Sequence, residues 1–461
     1  MAGTKGYRKD TERIYDMDKT VAFLTLGCKV NSYETDAIRG MFEASGYGVV
    51  DFKEIADVYV VNTCTVTNIA DRKSRQMLHQ AKKRNPEAII VAVGCYVQAA
   101  EEDLLKDSSV DLVVGNNRKS EIVKLVEDYR GHNNINTNMV IDIGAEKDFE
   151  DLSIISTMDK TRAFIKIQDG CNRFCSYCII PFVRGRVRSR NEEEILEEIT
   201  KLSEAGYKEI VLTGIHISSY GTDRQDNIDN EYQLMPLASL IKAIGKISGI
   251  ERIRLGSLEP RIITEEFVKE IKDTTQFCPH FHLSLQSGSN SVLKRMNRKY
   301  SAKEYEEKVQ LLRKYFENPA FTTDIIVGFP GETEKEFEET LEFVKGIGFS
   351  AIHVFKYSKR AGTKAAEMVD QIPEDIKHQR SNVLIEAAKL MSMDYRAMFM
   401  GRIEKILIEE ETIVEGRSYQ IGHNERYLKL AFETKEDFIN QIIPVKIEKS
   451  LTEDILFCKL V

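Results

Sequence analysis

The sequence has no apolar run long enough to cross a bilayer. Its longest uninterrupted apolar stretch, residues 88–93, is far shorter than the roughly 20 residues that a membrane-spanning helix needs. Residues 1–19 are mostly charged or polar, and they contain no apolar core of the kind found in a signal peptide. We therefore expect a cytoplasmic protein with a polar leader and no membrane segment.

The chain also lacks an excess of positive charge. Lys and Arg number 65 and Asp and Glu number 73, which gives a net charge of −8. This balance argues against a surface that is basic everywhere, although it allows a local basic patch. The composition, 42% hydrophobic and 30% charged over 461 residues, is typical of a globular chain with roughly two to four domains.

Cysteine is scarce, and its spacing is informative. Eight cysteines in a chain of this length do not indicate a disulfide framework, so reduced thiolates that hold metal are the better expectation. Cys171, Cys175 and Cys178 are close together and follow a predicted strand. Thiolates suit zinc, Cu(I) or iron–sulfur clusters, but no nearby Cys or His supplies the fourth ligand of a closed zinc site. The spacing favours a 4Fe–4S cluster with one open iron; a zinc knuckle or a disulfide-bonded loop is the alternative.

Three further cysteines follow three similar strand–helix units. Apolar strands at residues 21–26, 57–61 and 88–93 are each followed by a cysteine and then by a helix; these cysteines are Cys28, Cys64 and Cys95. Such strands form a parallel sheet whose carboxyl ends share one edge. We therefore expect the three cysteines to converge into a second three-thiolate metal site; unrelated buried cysteines are the alternative.

The pattern of elements predicts an α/β protein of three domains. The first, residues 19–131, is the parallel-sheet domain and ends at an Asn-rich segment. The second, residues 157–392, is predicted as a partial (β/α)6 barrel with strands at 163–168, 208–213, 252–257, 280–286, 322–328 and 350–356. The third, residues 397–461, is predicted as a small β-barrel of an oligonucleotide-binding type, or a dimerisation module, with strands at 403–409, 412–418, 427–432 and 442–447.

The C-x3-C-x2-C loop at the end of a strand resembles that of the radical S-adenosylmethionine (SAM) enzymes. With the other three cysteine segments and the terminal β-domain, the chain resembles the methylthiotransferases over nearly its whole length. The resemblance implies two 4Fe–4S clusters, SAM bound to the first, and a TRAM-like RNA-binding domain at the C-terminus. It also implies SAM contacts beside Cys178 and at the ends of the barrel strands, where the matching residues are Tyr177, Thr213, Gly214, Ser257, Glu259, Gln286, Val327 and Gly328.

Arginines alternate in the segment after the first cysteine loop, at Arg184, Arg186, Arg188 and Arg190. In an extended segment alternate residues face one side. Four guanidinium groups on one side would suit the phosphates of RNA or the SAM carboxylate. We therefore predict an RNA-binding edge here; a solvated basic loop is the alternative.

Within the family, Leu-Gly-Cys-Lys-Val-Asn at residues 26–31 and the segment 214–221 most resemble one branch. That branch adds a methylthio group to carbon 2 of N6-threonylcarbamoyladenosine at position 37 of tRNA. The resemblance implies that one SAM methylates cluster-bound sulfur and that a second gives the 5′-deoxyadenosyl radical, while partner proteins donate electrons and sulfur. Three alternatives remain: the isopentenyladenosine-directed branch, the branch that modifies a ribosomal-protein aspartate, and a non-catalytic iron–sulfur protein that binds RNA.

Overall fold

The computed structural model describes residues 19–131, 136–154, 161–224 and 235–461. The predicted leader over residues 1–18 lies outside the described residues, as does part of the segment before residue 157. The α/β fold class is confirmed: a parallel sheet, a partial barrel and a closed five-stranded barrel follow one another along the chain. Among the described residues, no helix combines the length and the apolar character that crossing a bilayer requires.

The N-terminal unit is a six-stranded parallel sheet in the order β2-β1-β3-β4-β5-β6. Its central strands are apolar and buried along their whole length, as expected for a sheet with helices on both faces. The strands are β1 (Thr20–Thr25), β2 (Gly48–Val50), β3 (Val58–Thr63), β4 (Ile89–Gly94), β5 (Leu112–Val114) and β6 (Asn138–Met139). The helices are α1 (Lys29–Ala44), α2 (Asn68–Arg84), α3 (Cys95–Ala99), α4 (Glu101–Leu105) and α5 (Ile122–Arg130). Sequence analysis did not predict β2 and β6, because such short strands carry no visible alternation.

The middle unit is a partial barrel of six parallel strands, with a short antiparallel strand, β8, at the end of β7. Isolated bridges from residue 253 to 277 and from 258 to 283 connect its two sheets. The strands are β7 (Arg162–Asp169), β8 (Arg188–Ser189), β9 (Glu209–Gly214), β10 (Arg252–Leu255), β11 (His280–His282), β12 (Ala320–Val327) and β13 (Ala351–Lys356). The strand predicted over 280–286 ends at His282, and beyond it single bridges at Leu283 and Gln286 continue the pairing.

Helices cover the outside of this barrel, and two of them begin with a capping box. Ser301 and Thr333 each begin a helix with a complete capping box, formed with Glu304 and Glu336. The helices are α6 (Ile180–Val183), α7 (Glu192–Glu204), α8 (Pro236–Ile244), α9 (Glu265–Lys272), α10 (Asn290–Arg295), α11 (Ala302–Tyr315), α12 (Glu334–Ile347), α13 (Lys364–Glu367) and α14 (Glu374–Ala397).

The C-terminal unit is a closed barrel in the order β14-β15-β16-β18-β17. Its strands are β14 (Ile403–Val414), β15 (Arg417–Asn424), β16 (Lys429–Phe432), β17 (Ile442–Ser450) and β18 (Ile455–Leu460). The two strands predicted at 403–409 and 412–418 are wrong: β14 runs through the acidic segment with a bulge between Ile408 and Glu410. The chain turns instead at Glu415 and Gly416, which both have positive φ, as a tight hairpin requires.

Buried ion pairs join the C-terminal barrel to the amino-terminal end of the partial barrel. Glu209, at the start of β9, is fully buried and pairs with Arg162 and Arg254, while Arg252 lies 3.8 Å away. Arg252 and Arg254 also donate to backbone carbonyl groups of the C-terminal barrel, at 2.7–2.9 Å. The ring of Tyr427 lies against the guanidinium groups of Arg162 and Arg254, at 5.1 and 4.8 Å. The two units therefore depend on one shared charged interface.

We expect Glu209→Gln to destabilise the protein by about 3–5 kcal/mol, because it leaves buried arginines without their carboxylate. Although burial raises the pKa of Glu209, Arg254 and Arg162 hold it far below its usual value. The stabilisation is therefore present above the usual carboxyl pKa and is lost as the pH falls well below it. Denaturation midpoints against pH measure both effects. Glu204→Gln, at the exposed end of α7, is the matched control; an equal effect of both variants would contradict this reading.

Candidate active site

The first cysteine loop leaves the carboxyl end of β7 through a glycine. Gly170 has a φ of +71°, and a Cβ atom there would lie 1.8 Å from the backbone oxygen of Arg186. A residue with a side chain does not fit this turn. The glycine thus lets the loop with Cys171, Cys175 and Cys178 fold back beside the segment that follows it, where the Cys171 amide donates to the carbonyl of Gly185 at 3.0 Å.

Residues after α10 hold this loop from the other side. The side-chain amide of Asn297 donates to the carbonyl of Phe174 at 2.9 Å. Arg298 donates one N–H to Sγ of Cys175 at 3.4 Å and another to the carbonyl of Ser284 at 3.2 Å. Sequence analysis missed Arg298, because it lies more than 120 residues from the cysteine it contacts and no spacing pattern relates the two.

The sulfurs of the first loop are further apart than the ligands of a single ion. Within the described residues, no three cysteine sulfurs lie within 4.8 Å of one another. A tetrahedral zinc ion would bring its sulfur ligands to about 3.8 Å from one another, whereas an iron–sulfur cluster is larger and separates them more. Burial raises the pKa of Cys171 to about 11 and that of Cys178 to about 12. Binding of metal here must therefore displace protons from these thiols.

The structure also brings Cys28, Cys64 and Cys95 together. They follow β1, β3 and β4, which are adjacent strands. A Cβ atom on Gly27 would lie 2.9 Å from Sγ of Cys64, so the loops of Cys28 and Cys64 are in contact. Burial, followed by the nearby thiols of Cys95 and Cys28, raises the pKa of Cys64 to about 11. Cys28 is exposed, whereas Cys64 and Cys95 are buried, so this group of thiols opens on the Cys28 side.

Arg184 connects the second group of thiols to the end of β7, from which the first cysteine loop leaves. Its side chain is fully buried, and its Nε donates to Sγ of Cys95 at 3.1 Å. Its other nitrogens donate to Asn31 and to Glu34 on α1, and one lies 3.3 Å from Asp169, two residues before Cys171. A single guanidinium group therefore contacts the second thiol group, helix α1 and the end of β7.

The structure corrects the predicted RNA-binding edge. Arg184, Arg188 and Arg190 are at most 2% exposed, so they cannot reach the phosphates of a bound RNA. Arg184 and Arg188 lie beside Asp169, and Arg190 pairs with Glu198. Arg186 alone of the four is exposed, and its guanidinium carbon lies 4.8 Å from the ring centroid of Phe174 in the cysteine loop.

Several residues predicted to contact SAM surround the first cysteine loop. Tyr177 packs edge-on against Phe329 at 6.4 Å, next to Gly328 and the buried Val327 at the end of β12. Gly328 has a φ of +69°, and a Cβ atom there would lie 2.3 Å from the side chain of Lys377. Gln286 is nearly buried and bridges to β12. Val327 and Gly328 lie at the carboxyl end of β12, whereas Tyr177 lies in the cysteine loop and Gln286 lies four residues beyond β11.

The other predicted SAM residues lie at the ends of β9 and β10. Thr213 and Gly214 end β9, and a Cβ atom on Gly214 would lie 2.8 Å from the carbonyl of Gln168. Ser257 is exposed just beyond β10. Glu259 is buried, and its carboxylate already contacts three side chains at 2.6–2.9 Å, those of Arg173, His216 and Arg261. Glu259 thus connects Arg173 of the cysteine loop to His216, which follows β9. The sequence did not indicate this contact.

Comparisons with known proteins agree with this geometry. The model of the radical SAM superfamily matches residues 165–344, and the model of the uncharacterized protein family UPF0004 matches residues 20–115. A Bacillus subtilis protein named threonylcarbamoyladenosine tRNA methylthiotransferase MtaB is 43% identical over 94% of this chain and 94% of its own length. The chain belongs to the radical SAM methylthiotransferase family. Membership implies a 4Fe–4S cluster and SAM, and the Cys171 loop has the thiols to hold that cluster.

Further relatives include proteins of two named activities. An Aquifex aeolicus protein with the same MtaB name is 42% identical over 87% of this chain and 95% of its own length. A Clostridium novyi protein named tRNA-2-methylthio-N(6)-dimethylallyladenosine synthase is 36% identical over 97% of this chain and 98% of its own length. Among solved structures, the radical SAM methyltransferase TsrM from Kitasatospora setae has a TM-score of 0.54 at 14% identity, covering 76% of this chain and 77% of that one. That likeness concerns the fold alone.

We expect Arg298→Leu to lower production of 5′-deoxyadenosine from SAM by about tenfold to a hundredfold, because Cys175 loses a charged donor and the loop loses its contact with Ser284. Anaerobically reconstituted protein with dithionite and SAM provides the measurement. Arg72→Leu, at an exposed position on α2, is the matched control. Equal rates for the two variants would show that Arg298 has no part in holding the loop.

Proposed function

We propose that this protein adds a methylthio group to carbon 2 of N6-threonylcarbamoyladenosine at position 37 of tRNA. Residues 19–131 would hold a second cluster, residues 157–392 the radical SAM core, and residues 397–461 a TRAM-like domain that binds the anticodon arm. Separate proteins would supply electrons and sulfur. The names and identities of the B. subtilis and A. aeolicus relatives support this choice of substrate.

The observation that carries the proposal is a second group of three thiols that one buried arginine joins to the strand end from which the first cysteine loop leaves. Arg184 contacts Cys95 of one group and Asp169, next to the turn that leads into the other. A single cluster would suffice to cleave SAM, so a second set of three thiols beside the first indicates a second task. Transfer of sulfur requires a place that holds sulfur close to the radical, and Cys28, Cys64 and Cys95 suit it.

When bound, the clusters and two SAM molecules supply the chemistry: one SAM gives a 5′-deoxyadenosyl radical, and the second gives the methyl group of the methylthio group that replaces the hydrogen on carbon 2. The protein's own residues hold these groups at a fixed separation. Glu34 is fully buried and pairs with Arg184 and Lys166. Although burial raises its pKa, Arg184, Lys119 and Lys166 hold the pKa of Glu34 well below its usual range, so it remains an anion between the two domains.

Two arginines donate hydrogen bonds to cysteine sulfurs, one in each group of thiols. Arg298 donates to Cys175 and Arg184 to Cys95. Hydrogen bonds to the sulfurs stabilise thiolates and help to set the reduction potential of a bound cluster. The exposed Cys28 marks the open side of the second group, and the target base would be placed between that side and the first loop.

The substrate is tested by mass spectrometry of tRNA nucleosides from a strain in which the gene is deleted. We expect the methylthio form of threonylcarbamoyladenosine to disappear while the isopentenyl type is unchanged, and a plasmid copy to restore it. Loss of the isopentenyl type instead would move the protein to the activity named for the C. novyi relative, which is 36% identical. Unchanged tRNA nucleosides would contradict an RNA substrate altogether.

The second thiol group is tested by Cys64→Ala. We expect the iron content of reconstituted protein to fall from about eight to about four atoms per chain. Cleavage of SAM to 5′-deoxyadenosine should stay measurable, whereas insertion of sulfur should stop. Cys278→Ala, at a buried cysteine outside both groups, is the matched control and should keep the full iron content. Full methylthiolation by Cys64→Ala would remove the second cluster from the mechanism.

A further inference from the structure

A group of polar side chains faces the interior of the partial barrel. His282 on β11, Asp324 on β12 and His353 on β13 each contribute one atom to a group whose members lie within 4.8 Å of one another. Nε2 of His282 is 3.4 Å from Oδ2 of Asp324, and the two imidazole rings have centroids 6.1 Å apart. Neighbouring positions on β12, Phe321 and Ile325, belong to the hydrophobic core. Strand alternation therefore turns Asp324 to the opposite side, into the barrel.

Lys29 brings a positive charge to the same space. It begins α1, and its ammonium nitrogen lies 5.5 Å from the ring centroid of Phe164 on β7. Ala163 and Ile165, the neighbours of Phe164 on β7, belong to the hydrophobic core, so strand alternation turns the ring of Phe164, and Lys29 against it, towards the barrel interior. Lys29 is exposed to the cleft, and within the part of the chain that the structure describes it forms no ion pair.

These four side chains lie on segments that also carry or hold the two groups of thiols. Lys29 directly follows Cys28 in the second group. His282 is two residues before Ser284, whose carbonyl accepts a hydrogen bond from Arg298 beside the first cysteine loop. A base held at the carboxyl ends of the strands would direct a substituent into the barrel interior, where these polar side chains lie.

We propose that Lys29, His282, Asp324 and His353 bind the anionic, hydroxylated substituent on N6 of the target base and so select threonylcarbamoyladenosine. This inference rests on the proposed function and names the residues that set its specificity. The substituent carries a carboxylate, a hydroxyl and ureido N–H groups. The ammonium of Lys29 pairs with the carboxylate, Asp324 accepts from a hydroxyl or N–H, and the imidazoles donate or accept.

The same chemistry disfavours an apolar substituent. A dimethylallyl group has no polar atom, so it would take these side chains out of water without pairing them, which is costly. A bound carboxylate would pair with the ammonium of Lys29, whereas an alkyl group would remove water from it and offer no partner.

The test compares three synthetic anticodon stem–loops that differ only at position 37: threonylcarbamoyladenosine, its neutral methyl ester, and adenosine. Binding to the reconstituted holoenzyme is measured anaerobically by fluorescence anisotropy. We expect the wild-type protein to bind the acid at least about tenfold more tightly than the ester, the usual effect of one charged hydrogen bond. Lys29→Met should abolish this preference, and Lys29→Arg, which keeps the charge, should retain most of it.

Lys53→Met, at an exposed position far along the N-terminal unit, is the matched control and should keep the full preference for the acid. Lys29 adjoins Cys28, so a change there could disturb the second group of thiols. His353→Ala is therefore a second variant, at a position distant from the cysteines in sequence. The His353→Ala variant should bind the acid and the ester stem–loops more weakly, relative to the adenosine stem–loop, than the wild-type protein does. The ratio of its affinities for acid and ester should stay the same. Retention of the acid preference by Lys29→Met, or no loss in His353→Ala, would overturn the inference.

Failure of the proposed function would look different. If the wild-type protein converts threonylcarbamoyladenosine yet binds acid and ester equally, only the present inference fails. If it converts a dimethylallyl stem–loop instead, the proposed function fails first. The alternative is that the same atoms bind a metal ion. Electron paramagnetic resonance would then show stoichiometric binding of Mn²⁺ that is lost in Asp324→Asn. That result would assign His282, Asp324 and His353 to a cation and overturn their assignment to the substrate.

Discussion

The buried guanidinium of Arg184 is the contact on which the arrangement of the active site depends. It is surrounded by Glu34, Asp169 and the sulfur of Cys95, all with little or no exposure to solvent. A buried charge is tolerated only when its partners are in place, so loss of any one member leaves the others uncompensated. Because Glu34 is on α1 and Asp169 is on β7, the network ties the N-terminal domain to the barrel at the end of β7 from which the first cysteine loop leaves.

Parallel sheets explain why six cysteines from distant parts of the chain become neighbours. Each cysteine of the second group follows a strand of the same sheet, and the first group follows a strand of the barrel. In parallel sheets the carboxyl ends of the strands meet at one edge, so a side chain just beyond a strand is brought to that edge wherever it lies in the sequence. Gly27 and Gly170 complete the arrangement, since both have positive φ and no room for a Cβ atom.

Much of this architecture could be predicted from the sequence, and the errors have a common cause. Alternation of strands and helices was sufficient for the α/β class, the partial barrel and the convergence of Cys28, Cys64 and Cys95, because these depend on periodicity and connectivity. The arginine segment was misread because its partner Glu34 lies 150 residues earlier than Arg184. Alternating arginines look the same whether they face water or a buried carboxylate. Arg298 and Lys29 escaped notice for the same reason: their environment is made by residues that only the fold brings close.

The three units together also determine how a large substrate can approach. The C-terminal barrel covers the amino-terminal end of the partial barrel through Arg252, Arg254 and Tyr427. Helix α1 of the N-terminal domain packs against β7 and brings Cys28 with it. A barrel of six strands does not close as one of eight does, and its last strand, β13, has His353, Phe355 and Lys356 exposed. A base on a folded RNA needs a wide approach, and the exposed side chains on this last strand, His353 among them, suit such a substrate better than the closed interior of an eight-stranded barrel would.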